Sequence, residues 1–301
     1  MDYKNKWQSV TRRINVSMHD GYRTIYPRHI IGQRKRFSRK SSAPGYNGQT
    51  AFYRNPNAQH AIINWTKNKT GKRRILILPG SIGCEAYTFA MIAANEGLSQ
   101  NELEIHSLDI SDEFTRVAKS GIYPAQALLG LPQSLTQYFS ECSNEDFVAV
   151  RDEIKERVTF LPHSSLKRFK TPQAYDGVVC QNLLKHIYNN IWLNLQSFSR
   201  VHKDKNKDPL RHARQSPQLH AINKLCDLTK DVLFVDMIEE TPFYFGHGTA
   251  PFNPFAERGM AYLDEDLKPF GNGADYPSEY KDIDRCLQSR GGVHAFQQPQ
   301  I

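Results

Sequence analysis

The sequence predicts an α/β fold with a mainly parallel β-sheet. Short apolar runs bounded by charge or by Pro-Gly alternate along the chain with segments that have helical spacing of apolar residues. Such runs are typical of buried central strands, and their alternation with helices favours a parallel sheet covered by helices. The chain has 301 residues, of which 39% are apolar and 23% charged. This length and composition suit one large domain or two modest ones.

Each predicted element follows from its periodicity and its flanking residues. Gly97 and Gly121 are good helix stops, and Asp112 and Glu113 suit the positive amino end of a helix dipole. The predicted elements are, in chain order, a helix at 58–68, a strand at 73–80, a helix at 86–97, a strand at 103–111, a helix at 112–123, strands at 158–162 and 175–184, helices at 187–198 and 220–231, and strands at 232–238 and 293–297.

Composition argues against several protein classes. The chain has no run of 18 apolar residues and no apolar stretch near its N-terminus, so we expect neither a transmembrane helix nor a secretory signal. Its five cysteines form no C-x-x-C pair, and its eleven histidines show no metal-ligand spacing. We therefore expect no disulfide framework, no metal and a reducing, cytoplasmic setting.

The basic charge of the chain is concentrated at its N-terminus. Residues 1–40 carry eleven Lys or Arg and two Asp, a formal charge of +9, whereas the whole chain carries +8. Such a segment suits nucleic acid, an anionic lipid surface or an acidic partner, and a solvated terminus is the alternative interpretation. We predict a basic arm over 1–48 that precedes a domain over 49–301.

The residues that follow the predicted strands suggest a nucleoside ligand. In open parallel sheets, ligands bind beyond the carboxyl ends of the strands. Gly80 and Gly83 follow the first strand and would let a ligand approach the backbone, although the loop matches neither the G-x-G-x-x-G fingerprint nor a P-loop. Asp109 ends the second strand, where a carboxylate can accept hydrogen bonds from both ribose hydroxyls. Its alternative role is a helix N-cap.

A series of short motifs runs in order from about residue 49 to the C-terminus. They are TAFYRNP (50–56), GSIGCEAYTFAM (80–91), SLDIS (107–111), AKSGIYP (118–124), QSLTQYF (133–139), VTFLPHSSL (158–166), DGVVCQNLLKHI (176–187), VLFVD (232–236) and QSRGGVHAF (288–296). Together they resemble the ordered motifs of the CheR-type chemotaxis receptor methyltransferases, which include T-x-F-F-R, G-E-E-P-Y, S-D-I-D and C-R-N. The resemblance implies a class I (Rossmann-like) methyltransferase fold, with helices on both faces of the sheet. It also implies S-adenosylmethionine (SAM) as cofactor and S-adenosylhomocysteine (SAH) as product.

The resemblance also implies a set of cofactor-binding residues. Glu85 matches the second Glu of G-E-E, which meets the methionine amino end, and Asp109 matches the acid that holds the ribose. Asn182 matches the Asn of C-R-N, and Ser164 falls near the Asn of the family's N-L pair. The full implied set is Thr50, Arg54, Gly80, Gly83, Glu85, Asp109, Ser164, Gln181 and Asn182.

Three positions depart from the family pattern. Cys84 stands where the family has the first Glu of G-E-E, and Gln181 where it has the Arg of C-R-N. His186 replaces a Tyr near the transferred methyl group and is our candidate general base, with a structural histidine as the alternative. The family's N-terminal helical domain is not recognisable in 1–48. These departures predict that the residues facing the substrate differ from those of the family.

An apparent insertion at about 239–285 is rich in Phe, Tyr, Pro, Gly and acids. It could form a lid or wall of an acceptor pocket, or a packed loop whose aromatic residues fill a satellite core. Glu239, Glu240 and His247 lie near its start and are candidate substrate contacts.

The sequence thus favours a SAM-dependent methyltransferase that acts on a small molecule or on a protein other than a chemoreceptor. Two alternatives remain open. One is a SAM-binding sensor or assembly module that does not catalyse. The other is an RNA methyltransferase that holds phosphates with residues 1–40.

Overall fold

The computed structural model describes residues 50–184, 217–236, 258–269 and 293–299, together with Phe255 and Ser289. Its strands are β1 (Arg73–Leu78), β2 (Leu103–Ser107), β3 (Ile122–Pro124), β4 (Phe139–Glu141), β5 (Phe147–Val150), β6 (Val158–Phe160), β7 (Tyr175–Cys180), β8 (Thr229–Asp236), β9 (Ala261–Tyr262) and β10 (Val293–Gln297). Its helices are α1 (Pro56–Lys67), α2 (Cys84–Asn95), α3 (Asp112–Ser120), α4 (Gln133–Thr136), α5 (Asp152–Lys155) and α6 (Pro217–Leu228), with a 3-10 helix at Ala125–Leu128.

The main sheet confirms the predicted fold class. Its strand order is β6-β2-β1-β7-β8-β10-β9, and the five strands from β6 to β8 are parallel. Only β10 runs antiparallel to its neighbours on both sides. The chain winds outward from β1 toward β2 and β6, and then returns to β7 on the other side of β1. This reversal of winding opens a crevice at the carboxyl end of β1, where ligands bind in such sheets.

Two apolar cores lie on the two faces of this sheet. Ile75 and Ile77 of β1 pack in the core that also contains buried side chains of α1 and α2. Leu76 and Leu78 pack in the second core with side chains of α6. The alternation along β1 follows from the two-residue repeat of a strand that is buried on both faces. Helices therefore cover both faces, as predicted.

The helices that border the crevice begin and end for local reasons. α2 begins after Gly83, whose φ of 90° is left-handed. α3 begins at Ser111, whose Oγ accepts a hydrogen bond from the Phe114 amide, and ends at Gly121 with a φ of 64°. Ser111 is therefore the helix cap, so the alternative role considered for Asp109 was wrong.

A second, three-stranded antiparallel sheet was not predicted. Its order is β3-β5-β4, and it lies in the chain between α3 and α5. Its strands have three or four residues. Such strands are too short to show two-residue periodicity in the sequence, which explains why the motif analysis passed over them.

The boundaries of most elements differ by a few residues from the sequence prediction; the strand predicted at 103–111, for example, ends at Ser107, and the helix predicted at 112–123 ends at Ser120. The predicted helix at 220–231 ends at Leu228, because β8 already begins at Thr229. Within the predicted insertion, β9 pairs with β10, and Phe255 stacks on Phe296 with ring centroids 4.0 Å apart. The described part of that segment therefore contributes β9 to the main sheet and buried side chains to the second core.

Several predictions lie outside the described residues. They are the arm at 1–48, the helix at 187–198 and most of the segment at 239–285. Among the helices of the described ranges, none is both long and apolar enough to cross a membrane.

Candidate functional site

The carboxyl ends of four parallel strands bring the predicted cofactor residues together. Gly80 follows β1, Asp109 follows β2, Ser164 follows β6 and Gln181 follows β7. These strands are neighbours in the order β6-β2-β1-β7, so their loops border one crevice. The crevice lies at the reversal of strand order, which is the expected ligand position.

The glycine loop after β1 is held tightly against β2 and its following loop. The Gly80 amide donates to the Leu108 carbonyl at 2.7 Å, and a Cβ at Gly80 would clash with Ser107 Oγ. A Cβ at Gly83 would lie 2.9 Å from Ala118 Cβ, and its positive φ also favours glycine. Both positions therefore need glycine, because a side chain there would meet neighbouring segments of the protein.

Asp109 joins three segments of the site. Its Oδ2 accepts a hydrogen bond from the Ser81 amide at 2.7 Å, and its Oδ1 accepts one from the Ser111 amide at 2.8 Å. Its backbone carbonyl accepts one from the Ser164 amide at 2.9 Å. The residue is only 5% exposed.

The segment before α1 docks on the first turns of α2. The Tyr53 amide donates to Thr88 Oγ1 at 3.1 Å, and Thr50 is buried. Burial raises the pKa of the Cys84 thiol, while the Arg54 charge and a hydrogen bond from Thr50 act in the opposite direction. Thr50 and Arg54 therefore lie close to Cys84.

The Cys84 thiol is neutral because burial dominates its pKa. Glu85 follows it in the first turn of α2 and is also buried. The amino end of α2 therefore presents one carboxylate at the two positions where the family motif has two. Arg54 is the nearby cation, so the local charge differs from that of the family pattern.

Gln181 is buried without a partner for one of its polar atoms. The residue is 3% exposed, and within the described ranges its Nε2 has no hydrogen-bond partner. The next residue, Asn182, has a φ of 61°, and Ser81 across the crevice has a φ of 47°. Left-handed conformations of residues other than glycine cluster at functional sites.

Sequence reasoning missed three contributors to this geometry. Ser81 and Ser111 donate their amides to Asp109, and Ile110 between them is 46% exposed. The pattern Ser-Asp-Glu before a helix could have identified Ser111 as a cap. An exposed apolar side chain beside Asp109 offers a surface for a planar apolar group, which no pattern in the sequence indicated.

Four predicted residues are not among those described: His186, Glu239, Glu240 and His247. Their roles in catalysis and substrate binding stay predictions. In the described part of the chain, no cluster of three or more His, Cys, Asp or Glu side chains could hold a metal ion.

A family model described as "CheR methyltransferase, SAM binding domain" matches residues 48–200. A chemotaxis protein methyltransferase of Escherichia coli K12 is 31% identical over 140 residues, which are 45% of this chain and 49% of that protein. A probable biofilm formation methyltransferase, WspC, of Pseudomonas aeruginosa PAO1 is 33% identical over 114 residues, covering 37% of this chain and 26% of that protein.

The chain thus spans about half the length, or less, of these two curated relatives. Among solved structures, magnesium protoporphyrin IX methyltransferase of Synechocystis PCC 6803 with bound SAM aligns with 12% identity. That alignment covers 92% of this chain and 100% of that chain, with a TM-score of 0.38.

Proposed function

Because the chain belongs to the CheR methyltransferase family, we propose that it is a SAM-dependent methyltransferase whose cofactor binds in the crevice at the carboxyl ends of β1, β2, β6 and β7. The observation that carries this proposal is the junction at Asp109. This buried carboxylate lies beside a glycine loop at the reversal of strand order. A nucleoside needs such a carboxylate for its vicinal hydroxyls and bare backbone for close approach.

The residues of the crevice fit the parts of SAM in order. Asp109 would accept the ribose hydroxyls, and the exposed Ile110 would pack against the adenine ring. Gly80 and Gly83 let the loop after β1 pack closely on neighbouring segments, and its backbone would face the chain that links ribose to methionine. Glu85 would accept a charge-assisted hydrogen bond from the methionine ammonium group. Thr50, Arg54, Ser164, Gln181 and Asn182 stay proposed cofactor contacts.

Methyl transfer from SAM requires mainly that the protein aligns the cofactor with the acceptor. When bound, SAM supplies a methyl group already activated by its sulfonium, so the reaction needs no metal. The protein residues orient cofactor and acceptor and exclude water. A general base is needed only for an acceptor that arrives protonated, and His186 is the proposed candidate. SAH is the expected product.

We propose an acceptor other than a chemoreceptor glutamate, either a small molecule or a protein. Support comes from the altered substrate side, where Cys84 and Gln181 replace charged residues of the family motif. Glu239, Glu240 and His247 are proposed contacts for it. An anionic partner for residues 1–40 remains a prediction, and with it the RNA methyltransferase alternative.

A second candidate function is a SAM-binding module without catalysis. The neutral Cys84 at the start of α2 favours it, because the family pattern has a carboxylate there. Conversion of radiolabelled SAM to SAH in the presence of an acceptor separates the two candidates. Binding of SAH without any turnover across acceptor classes would support the module.

Calorimetric titration with SAH tests the proposal, with ATP and NAD as ligand controls. Selective micromolar binding is expected. Asp109→Ala should weaken it by roughly 1.5–3 kcal/mol, because the ribose loses a buried charged acceptor. Asp266→Ala is the matched control on an exposed loop. Folding of both variants is checked by thermal unfolding, and unchanged SAH affinity in a folded Asp109→Ala protein would contradict the proposed site.

A further inference from the structure

The glycine loop after β1 contains a strained residue and is held by its neighbours at successive positions. Ser81 has a φ of 47°, and Ile82 after it is buried. The Ser81 amide donates to Asp109 Oδ2 at 2.7 Å, and the Gly83 amide donates to the Gly80 carbonyl at 3.0 Å. A left-handed conformation at a residue other than glycine persists only where the surrounding structure determines it strongly. Each restraint on this loop therefore contributes to its shape.

A further restraint on the loop comes from the small antiparallel sheet. Tyr123 in β3 is 1% exposed, and its hydroxyl donates to the Ile82 carbonyl at 2.6 Å. A Cβ at Gly83 would lie 3.1 Å from the same hydroxyl, so the hydroxyl lies directly against the loop. Burial raises the pKa of Tyr123 well above its ordinary value, so the hydroxyl keeps its proton and remains a donor. Tyr123 thus fixes the loop at the residue that follows Ser81.

The ring of Tyr123 also packs against the segment that precedes α1. Its centroid lies 4.9 Å from that of Phe52 in an edge-to-face arrangement, and Phe52 lies between Thr50 and Arg54 in the sequence. Phe52 packs in the same way on Phe139 of β4, with the centroids 5.2 Å apart. The small sheet therefore supports two segments that carry proposed cofactor contacts, the glycine loop and the segment before α1.

We propose that Tyr123 is a positioning residue for the cofactor, which holds the glycine loop in its binding shape through the hydrogen bond from its hydroxyl to the Ile82 carbonyl. Tyr123 is outside the set of proposed cofactor contacts and acts through the loop. The proposal rests on the proposed function, since it requires SAM or SAH at the backbone of this loop. Without the hydrogen bond, the ligand has to order the loop when it binds, and its affinity falls.

Tyr87 of α2 provides a matched control. It is also 1% exposed, and its hydroxyl also donates to a backbone carbonyl, that of Ala118 in α3, at 2.8 Å. The two tyrosine rings are neighbours, with centroids 6.3 Å apart. Tyr123→Phe and Tyr87→Phe therefore remove the same group from the same core, but only Tyr123→Phe removes a hydrogen bond to the glycine loop.

Calorimetry on the full chain measures the SAH affinity of both variants. Tyr123→Phe should weaken SAH binding by about fivefold, because part of the binding energy then has to order the loop. Tyr87→Phe should stay within about twofold of the unmodified protein. Both variants should lower the thermal midpoint by at most about 2–4 °C, since each loses one buried hydrogen bond. The two variants should therefore differ in SAH affinity and not in stability.

Amide hydrogen exchange of the ligand-free protein gives a second measurement of the same hydrogen bond. The Ser81 and Gly83 amides should exchange about fivefold faster in Tyr123→Phe than in the unmodified protein, because the loop opens more often. In Tyr87→Phe the exchange of these two amides should stay unchanged. This measurement requires no bound cofactor.

The possible results have distinct meanings. Equal losses of SAH affinity in the two variants overturn the proposal, because the Tyr123 hydroxyl then acts only as part of the core. Unchanged SAH affinity in Tyr123→Phe also overturns it. Failure of the unmodified protein to bind SAH refutes the proposed function instead. In that case unchanged exchange of the Ser81 and Gly83 amides in Tyr123→Phe would show that Tyr123 does not hold the loop either.

Discussion

The two ends of the main sheet differ in backbone geometry, although each pairs its buried carboxylate within the protein. At the amino end, Asp176 Oδ2 accepts the Arg74 amide at 2.8 Å, and Oδ1 lies 3.5 Å from both Arg73 Nη1 and Lys230 Nζ. At the carboxyl end, Gln181 Nε2 has no acceptor among the described residues. At both ends the buried carboxylate is paired within the protein, as Asp109 is by the Ser81 and Ser111 amides, and at the amino end Arg73 Nε likewise has no partner among the described residues.

Backbone geometry distinguishes the two ends. At the carboxyl end, Ser81 and Asn182 adopt positive φ, and Gly80 and Gly83 fit only as glycine. Strained conformations persist only where the surrounding structure determines them strongly. The comparison teaches that the amino end serves stability, and that the carboxyl end gives up some stability to keep a binding surface.

Asp176→Ala should have the largest effect on folding. It leaves Arg73 poorly neutralised and the Arg74 amide without its acceptor, so the free energy of unfolding should fall by roughly 3 kcal/mol. SAH affinity of the folded protein should stay unchanged, because the substitution lies at the far end of the sheet. Urea denaturation and calorimetry measure the two quantities.

Asp227→Ala is the matched control for this substitution, because Asp227 pairs with Arg258 on the surface. Asp227→Ala should lower the free energy of unfolding by less than about 1 kcal/mol. If Asp176→Ala weakened SAH binding as much as folding, the division between the two ends would be incorrect.

Gly83→Ala tests the carboxyl end, with Gly97→Ala as its control. Both glycines have positive φ, but a Cβ at Gly83 meets Ala118, whereas a Cβ at Gly97 meets nothing within 4 Å. Gly97→Ala should lower the free energy of unfolding by about 1 kcal/mol, from backbone strain alone. Gly83→Ala should lower it by about 2 kcal/mol or more, because the added Cβ also meets Ala118. Only Gly83→Ala should also weaken SAH binding. Equal costs for the two variants would mean that the loop relaxes away from Ala118.

Gln181→Leu should stabilise the protein, in contrast to the previous two variants. Replacing an unpartnered buried amide by an apolar group of similar size should raise the free energy of unfolding by about 1 kcal/mol. Gln173→Leu on the surface should stay within about 0.5 kcal/mol of the unmodified protein. Destabilisation by Gln181→Leu would show that its amide has a protein partner in solution.

The smallest expected effect is a pH dependence of stability that arises from His106, away from the two ends compared above. His106 in β2 lies between Glu104 and Tyr175, at 2.6 Å from Nε2 to Glu104 Oε1 and 2.8 Å from Nδ1 to the Tyr175 hydroxyl. Burial lowers the pKa of His106 below its ordinary 6.5, although Glu104 acts against this; Arg74 and Lys72 lower it further. The unfolded chain therefore binds more protons, and stability should fall as pH drops below about 6.5.

His106→Gln should flatten that dependence. Thermal midpoints measured between about pH 5 and pH 8 test this, with His220→Gln as a control at an exposed histidine of α6. An unchanged slope would mean that other groups set the acid sensitivity.

Sequence patterns were most informative where the relevant physics is local. The all-apolar run at Ile75–Leu78 and the helix stop at Gly121 were predicted, because burial and left-handed φ depend on the residue itself. Cofactor-site positions Gly80 and Asp109 were also identified, since both directly follow strands. Their roles toward SAM stay proposals. Strands β3 to β5 were missed because three or four residues carry too little periodicity.

The sequence by itself determined the alternation of strands and helices, the ordered motifs of the family, and the glycine and acidic residues after β1 and β2. Only the tertiary structure decided that Asp109 bridges Ser81, 28 residues away, and that Gln181 lies buried without an acceptor among the described residues. The physical reason is that hydrogen-bond partners across strands depend on register. Register is set by packing of the whole sheet, so no short segment of the sequence contains it.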